Sequence, residues 1–197
     1  APPLLHTSRV MQVVFSPDGR QLATQEHGGF ARLWNLDSGQ TAAPAIPHRS
    51  APYEPIAFSP DGTLMAVPGW ESVAVADLTR SNAPTRILDG TGPVHGLEFS
   101  TDGQRLVSGG RDGRVQIWDS PGLQPLGPPL PHPAAVRTAP FLPGTPYLVT
   151  LAFDWRLRLW DPLHPEPVRI SEPDRTDVMG WAAAPNHGWF ATGGFDN

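Results

Sequence analysis

The 197-residue chain repeats itself every 42 residues. The segment VVFSPDGRQLAT at 13–24 recurs as IAFSPDGTLMAV at 56–67 and as LEFSTDGQRLVS at 97–108. Degenerate copies follow as APFLPGTPYLVT at 139–150 and AAAPNHGWFAT at 182–192. A second signature runs through RLWNL at 32–36, QIWDS at 116–120 and RLWDP at 158–162. Trp34, Trp118 and Trp160 are separated by 84 and 42 residues, and Ala76, in VAVADL at 73–78, stands midway between the first two. His6, His48 and His132 keep the same frame, 42 and 84 residues apart. A period of this length makes each unit one supersecondary structure whose apolar surface is buried by its neighbours.

Each unit reads as four short strands. Apolar–polar alternation predicts a first strand at 11–15, 94–99 and 136–141. The Ser-Pro-Asp-Gly that follows is a tight turn, with Pro presetting φ and Gly accepting the special conformation. A second strand is predicted at 22–24, 64–67, 106–108 and 147–150, and a third at 30–34, 73–76, 115–118 and 157–160. The fourth falls in proline-rich stretches near 41–46, 85–88, 125–130 and 167–170, where an outer edge need not donate to a ladder. A four-stranded antiparallel meander buries both faces only when stacked on others around an axis, so the expected class is an all-β propeller. This pattern gives structural work to a composition that is about 23% Pro plus Gly (25 and 20 residues). Prolines at that density also exclude a mostly helical protein.

The repeat resembles the WD40 family, whose period is ~40–45 residues and whose third strand ends in Trp-Asp. The likeness covers essentially the whole chain, and the proline-rich joint QPLGPPLPH at 124–132 looks like bacterial members. It implies blades at approximately 6–47, 48–89, 90–131 and 132–173, with part of a fifth at 174–197. Family rings usually have seven blades, which leads to the expectation of an incomplete ring.

The resemblance also implies a structural tetrad of His, Ser or Thr, Asp and Trp in each blade. The fourth blade matches with His132, Thr150, Asp154 and Trp160. The third has Ser108, Asp112 and Trp118, with Gly90 in place of His. The first has His6, Thr24 and Trp34, with Gly28 in place of Asp, and the second keeps only His48. The fifth unit offers Thr192 and Asp196, with Asp174 at the His position. The imidazole is expected between hydroxyl and carboxylate, with the Trp packing and donating its N–H. Ser/Thr, His and Asp are also the residue types of hydrolase triads. A set that recurs along the chain with variations, with no Gly-x-Ser-x-Gly elbow, is structural.

Other chemistry is sparse. No Cys is present, which excludes disulfides, Cys-ligated zinc and a catalytic thiol. No His-x-x-x-His pair or phosphate-binding glycine loop occurs, so no catalytic residue, metal or cofactor is assigned. All fourteen cationic residues are Arg, and the net charge of −5 disfavours nucleic acid as a partner. No apolar run is long enough for a membrane-spanning helix, and a cytoplasmic location is the corresponding expectation. Arg114, Arg156 and Arg158 flank third strands and are expected on solvated faces. Trp155, after the turn Asp, reads either as an exposed anchor or as a plug against a neighbouring blade.

The family binds partners through loops at one end of the ring, and the resemblance points to two kinds of position there. One is the residue before the turn Asp: His27, Gly69, Arg111, Phe153 and Phe195. The other lies three and five places after the His position: Arg9 and Met11, Pro93 and His95, Ala135 and Arg137, Asp177 and Met179. Arg, Phe and Met are enriched at interfaces. The expected function is a non-catalytic scaffold for a protein or peptide, or for other domains of a parent chain. The alternative is a peptidase-type or periplasmic propeller holding a peptide or small ligand in its central channel. Such propellers share the Phe-Ser-Pro-Asp-Gly turns but generally lack the Trp-Asp ending.

Overall fold

The computed structural model describes residues 3–48, 55–80, 83–90, 92–162, 164, 166–170, 178–183 and 190–194. Their regular elements are all strands, grouped in consecutive antiparallel meanders. The first blade holds β1 (Val10–Phe15), β2 (Gln21–Glu26), β3 (Phe30–Asn35) and β4 (Ile46–Pro47). The second holds β5 (Ala57–Phe58), β6 (Leu64–Pro68), β7 (Ser72–Asp77) and β8 (Arg86–Asp89). The third holds β9 (Val94–Phe99), β10 (Arg105–Gly110), β11 (Arg114–Asp119) and β12 (Leu130–Pro131). The fourth holds β13 (Val136–Thr138), β14 (Leu148–Ala152), β15 (Leu157–Trp160) and β16 (Pro167–Ile170). A fifth sheet pairs β17 (Val178–Ala183) with β18 (Phe190–Gly194).

The first turn of each blade is built the same way three times. Ser16 donates its hydroxyl to Asp18, and Asp18 in turn accepts the backbone N–H of Arg20. Ser59 with Asp61 and Ser100 with Asp102 repeat the arrangement. These bonds, the serine hydroxyl first, hold all three carboxyls below the usual range. The turn glycines Gly19, Gly62 and Gly103 have φ of 69°, 71° and 69°, where an L side chain is strained.

The apolar core lies between blades, as strand alternation requires. Leu106 of β10 faces back to Ala66, Val75 and Leu88 of the second blade. Its neighbour Val107 faces forward to Val136, Leu148 and Trp160 of the fourth. Met65, Val67, Ala74 and Ala76 of the second blade pack against Ala23, Ala31, Leu33 and Ile46 of the first. The residue at the tryptophan position therefore faces the preceding blade.

Prolines shorten the outer strands relative to the sequence expectation. The stretches at 41–46 and 125–130 contribute only β4 and β12, plus single bridges from Trp34 to Thr41 and from Trp118 to Pro125. Pro44, Pro128 and Pro129 carry no N–H, so a continuous ladder cannot form. Likewise Pro140 ends the predicted first strand at 136–141 after Thr138, leaving a bridge between Phe141 and Leu148.

Candidate functional site

Beneath one end of the blades runs a buried hydrogen-bond relay. In the fourth blade Trp160 Nε1 donates to Thr150 Oγ1 at 2.8 Å, and His132 Nε2 lies 2.7 Å from the same hydroxyl. His132 Nδ1 lies 3.2 Å from the carbonyl oxygen of Leu130. A carbonyl only accepts, so Nδ1 carries the proton and Nε2 accepts from the threonine. The first blade repeats this with Trp34, Thr24, His6 and the Leu4 carbonyl, at 2.9 Å for each bond. In the third, Trp118 donates to Ser108 at 3.0 Å, with Gly90 at the histidine position. Burial pushes the His132 imidazole down to about 4 despite its carbonyl partner, so it is neutral at pH 7. His132 follows β12 and Thr150 sits on β14, so the relay ties one blade's outer edge to the next blade's interior.

The tetrad expectation fails at its carboxylate. Asp154 grips Arg158 through both carboxylate oxygens, with the Nη1 bond at 3.0 Å. The His132 Nδ1 bond goes to backbone instead. Burial raises the Asp154 carboxyl, but Arg158 together with the Arg156 N–H and charge outweighs it and the net shift is downward. Arg158 is 5% exposed, which corrects its assignment to a solvated face. An equivalent pair in the first blade had no counterpart in the tetrad. Arg32, two residues before Trp34 as Arg158 is before Trp160, pairs with Glu26. Glu26 also accepts the Thr7 hydroxyl at 2.7 Å, and its side chain is fully buried. Recurrence of Arg at this offset was the available signal. The glutamate could not be found that way, because it comes from β2 rather than from the turn.

The polar turn contacts are exchanged between blades rather than lost. Asp112 packs its carboxylate against Gly92, where a Cβ would come within 2.9 Å. In the first blade the glycine is Gly28, which donates its N–H to Ser8 Oγ at 2.9 Å. The next turn position is Gly29, Gly113 and Trp155, with φ of 83°, 79° and 59°. Trp155 is half-buried against the Leu142, Val149, Leu151 and Leu157 cluster of its own blade, so it packs within the fourth blade rather than standing out as an exposed anchor. Glu71 stands at that position in the second blade and is not in the left-handed region. Its turn closes instead by a bond from Gly69 N to Ser72 O at 2.7 Å.

A repeated backbone bond brings the two kinds of surface position together. His27 N donates to Arg9 O, Arg111 N to Pro93 O, and Phe153 N to Ala135 O, at 2.9, 2.7 and 2.9 Å. The first, third and fourth blades therefore carry both positions at the same end. Arg9, His27, Arg111 and Phe153 are exposed, while Met11, His95 and Arg137 are half-buried. Arg9 Nε also donates to Met11 Sδ at 3.3 Å. His95 is shifted down, first by burial and then by the Arg111 charge. Asp174, Asp177, Phe195 and Asp196 lie outside the described residues, as do the side chains of Met179 and Thr192. Among the described residues no cluster of His, Cys, Asp and Glu is arranged to hold a metal ion.

The model for the WD domain, G-beta repeat, matches residues 5–35 and 82–119. The chain belongs to the WD40 repeat family. It is 30% identical over 156 residues to "Telomerase protein component 1" of Rattus norvegicus, covering 79% of this chain and 6% of that one. It is 31% identical over 101 residues to "Target of rapamycin complex subunit LST8" of Bos taurus, covering 50% of this chain and 30% of the relative. Among solved structures it superposes on a chain of "Crystal Structure of Mitotic Checkpoint Complex" with a TM-score of 0.79 and 21% identity. That match covers 96% of this WD40 chain and 59% of its counterpart, and it supports the propeller fold. These two sequence relatives are eukaryotic, so the bacterial association of the proline-rich joint gains no support from them.

Proposed function

We propose that these WD40 blades form a non-catalytic scaffold that presents the end carrying Arg9, His27, Arg111 and Phe153 to a protein partner. The observation that carries this reading is the repeated backbone bond, which sets exposed arginine and aromatic side chains over a rigid buried relay. Rigid anchors of these residue types concentrate binding energy. The only hydroxyls poised on a histidine are those of Thr24 and Thr150 among the described residues, and they are 1% and 0% exposed. A substrate has no route to either, which supports the non-catalytic reading. Two relatives point the same way in their names, one a subunit of the target of rapamycin complex and the other a telomerase protein component.

The test is quantitative co-purification with the chain and with Arg111→Ala, Arg137→Glu and Phe153→Ala variants. Loss of a partner at unchanged melting temperature supports the reading. Full recovery by all three removes this face from it.

A further inference from the structure

The second blade lacks an arginine–carboxylate pair that the first and fourth blades place between blades; the third, with Gln116 at the arginine position, lacks the arginine too. Two residues before the tryptophan position, the first and fourth blades hold Arg32 and Arg158, each clamped by a carboxylate. The second blade holds Ala74 there, on the face packed toward the first blade. An open cavity of about 920 Å³ occupies the space. Its base is Val67 and Ala74, both buried, continued outward by Ile87, which pairs with Ala74 across the sheet. Pro47 and His48 of the preceding outer edge form the facing wall. Trp70, 48% exposed, and the carboxylates of Glu71 and Asp89 stand at the mouth.

The described lining of this cavity is chemically one-sided. Its acidic groups meet no arginine among the described lining residues. Burial holds His48 below its usual range, so it adds no positive charge at pH 7. An apolar stem fits the base, a planar cation fits the Trp70 face, and two carboxylates offer charge-assisted acceptors. The volume accommodates one long side chain with the backbone on either side of it.

We infer that the cleft between the first and second blades binds an arginine side chain of a protein partner, supplied from outside where the first and fourth blades supply their own. The inference rests on the scaffold reading, since it names the partner chemistry that one cleft of that scaffold selects.

The probe is a capped Gly-Arg-Gly peptide titrated into the 197-residue chain, with lysine and citrulline peptides as comparisons. The indole N–H resonance of Trp70, assigned with a Trp70→Phe variant, reports occupancy. Expected are a saturable shift with the arginine peptide and at least about tenfold weaker binding of neutral citrulline. Ala74→Arg, which fills the cleft from within, should abolish the shift. The Glu71→Gln/Asp89→Asn variant should weaken binding at least about tenfold without touching the core. No saturable shift, equal binding of citrulline or lysine, or unchanged binding in the double variant would overturn the inference. Failure here leaves the Arg111 and Phe153 co-purification result standing, so the two readings fail separately.

Discussion

The second and fourth blades share a fold and differ in what fills it. The fourth carries a complete Trp–Thr–His relay and a buried arginine–carboxylate pair. The second has Ala66, Ala74 and Ala76 at the corresponding positions, and only His48 is kept. Both nevertheless form four-stranded sheets that pack against their neighbours through valine, leucine and methionine. Apolar burial and strand pairing therefore make a blade, and the polar relay is an addition that fixes one blade edge to the next. Where it is missing, the space left over opens to the surface as a cleft.

This contrast can be broken in several ways. The largest effect is expected where a buried charge loses its partner. Arg32→Ala strands the Glu26 carboxylate, whose side chain is fully buried, and should cost about 4 kcal/mol by urea denaturation. A cost under about 1 kcal/mol would show that the pair in the first blade is dispensable. Next comes the relay itself. Thr150→Val keeps the shape but leaves His132 Nε2 and the Trp160 N–H without their shared oxygen, at about 3 kcal/mol. A neutral outcome would mean that the fourth blade is held like the second, by apolar contact alone.

A smaller effect concerns acid. His132, depressed to about 4, contributes stability that is complete above its unfolded value of 6.5 and is lost as pH falls through about 4. Glu98, pushed up to about 7 by burial, acts in the opposite sense. Its contribution is complete below its unfolded value of 4.5 and is lost as pH rises through about 7. Between pH 7 and pH 5 the two oppose each other. Glu98→Gln removes one side, so its urea midpoint should fall more steeply on acidification than that of the parent chain. Equal slopes would contradict the assignment. The smallest effect is expected from Ala74→Arg, which gives the second blade the arginine of the first and fourth. Its partners Glu71 and Asp89 are exposed, so stability should change by less than about 1 kcal/mol. A loss of several kcal/mol would mean that the cleft cannot admit the side chain.

Strand order and turn chemistry were legible because each depends on residues close in sequence. Ser16, Asp18 and Gly19 build their turn from within a short segment, and the same signature announced the others. The bonds from Trp34 to Thr24 and from Trp160 to Thr150 were legible for a related reason, since a fixed offset within one meander repeats with the period. The carboxylate was not. Asp154 lies in the repeat frame, yet its position there does not say whether the partner is an imidazole or a guanidinium. Glu26 meets Thr7 and Arg32 only once three segments are folded together.

By itself, then, the 42-residue period determined the meander, the stacking of blades and the residues that punctuate them. Local hydrogen bonding and side-chain alternation are properties of short sequence, so they repeat when the sequence does. Only the tertiary structure decided which buried charges pair and which gap remains open. Those outcomes depend on volume and polarity contributed from both sides of a contact between blades, and no single repeat contains both sides.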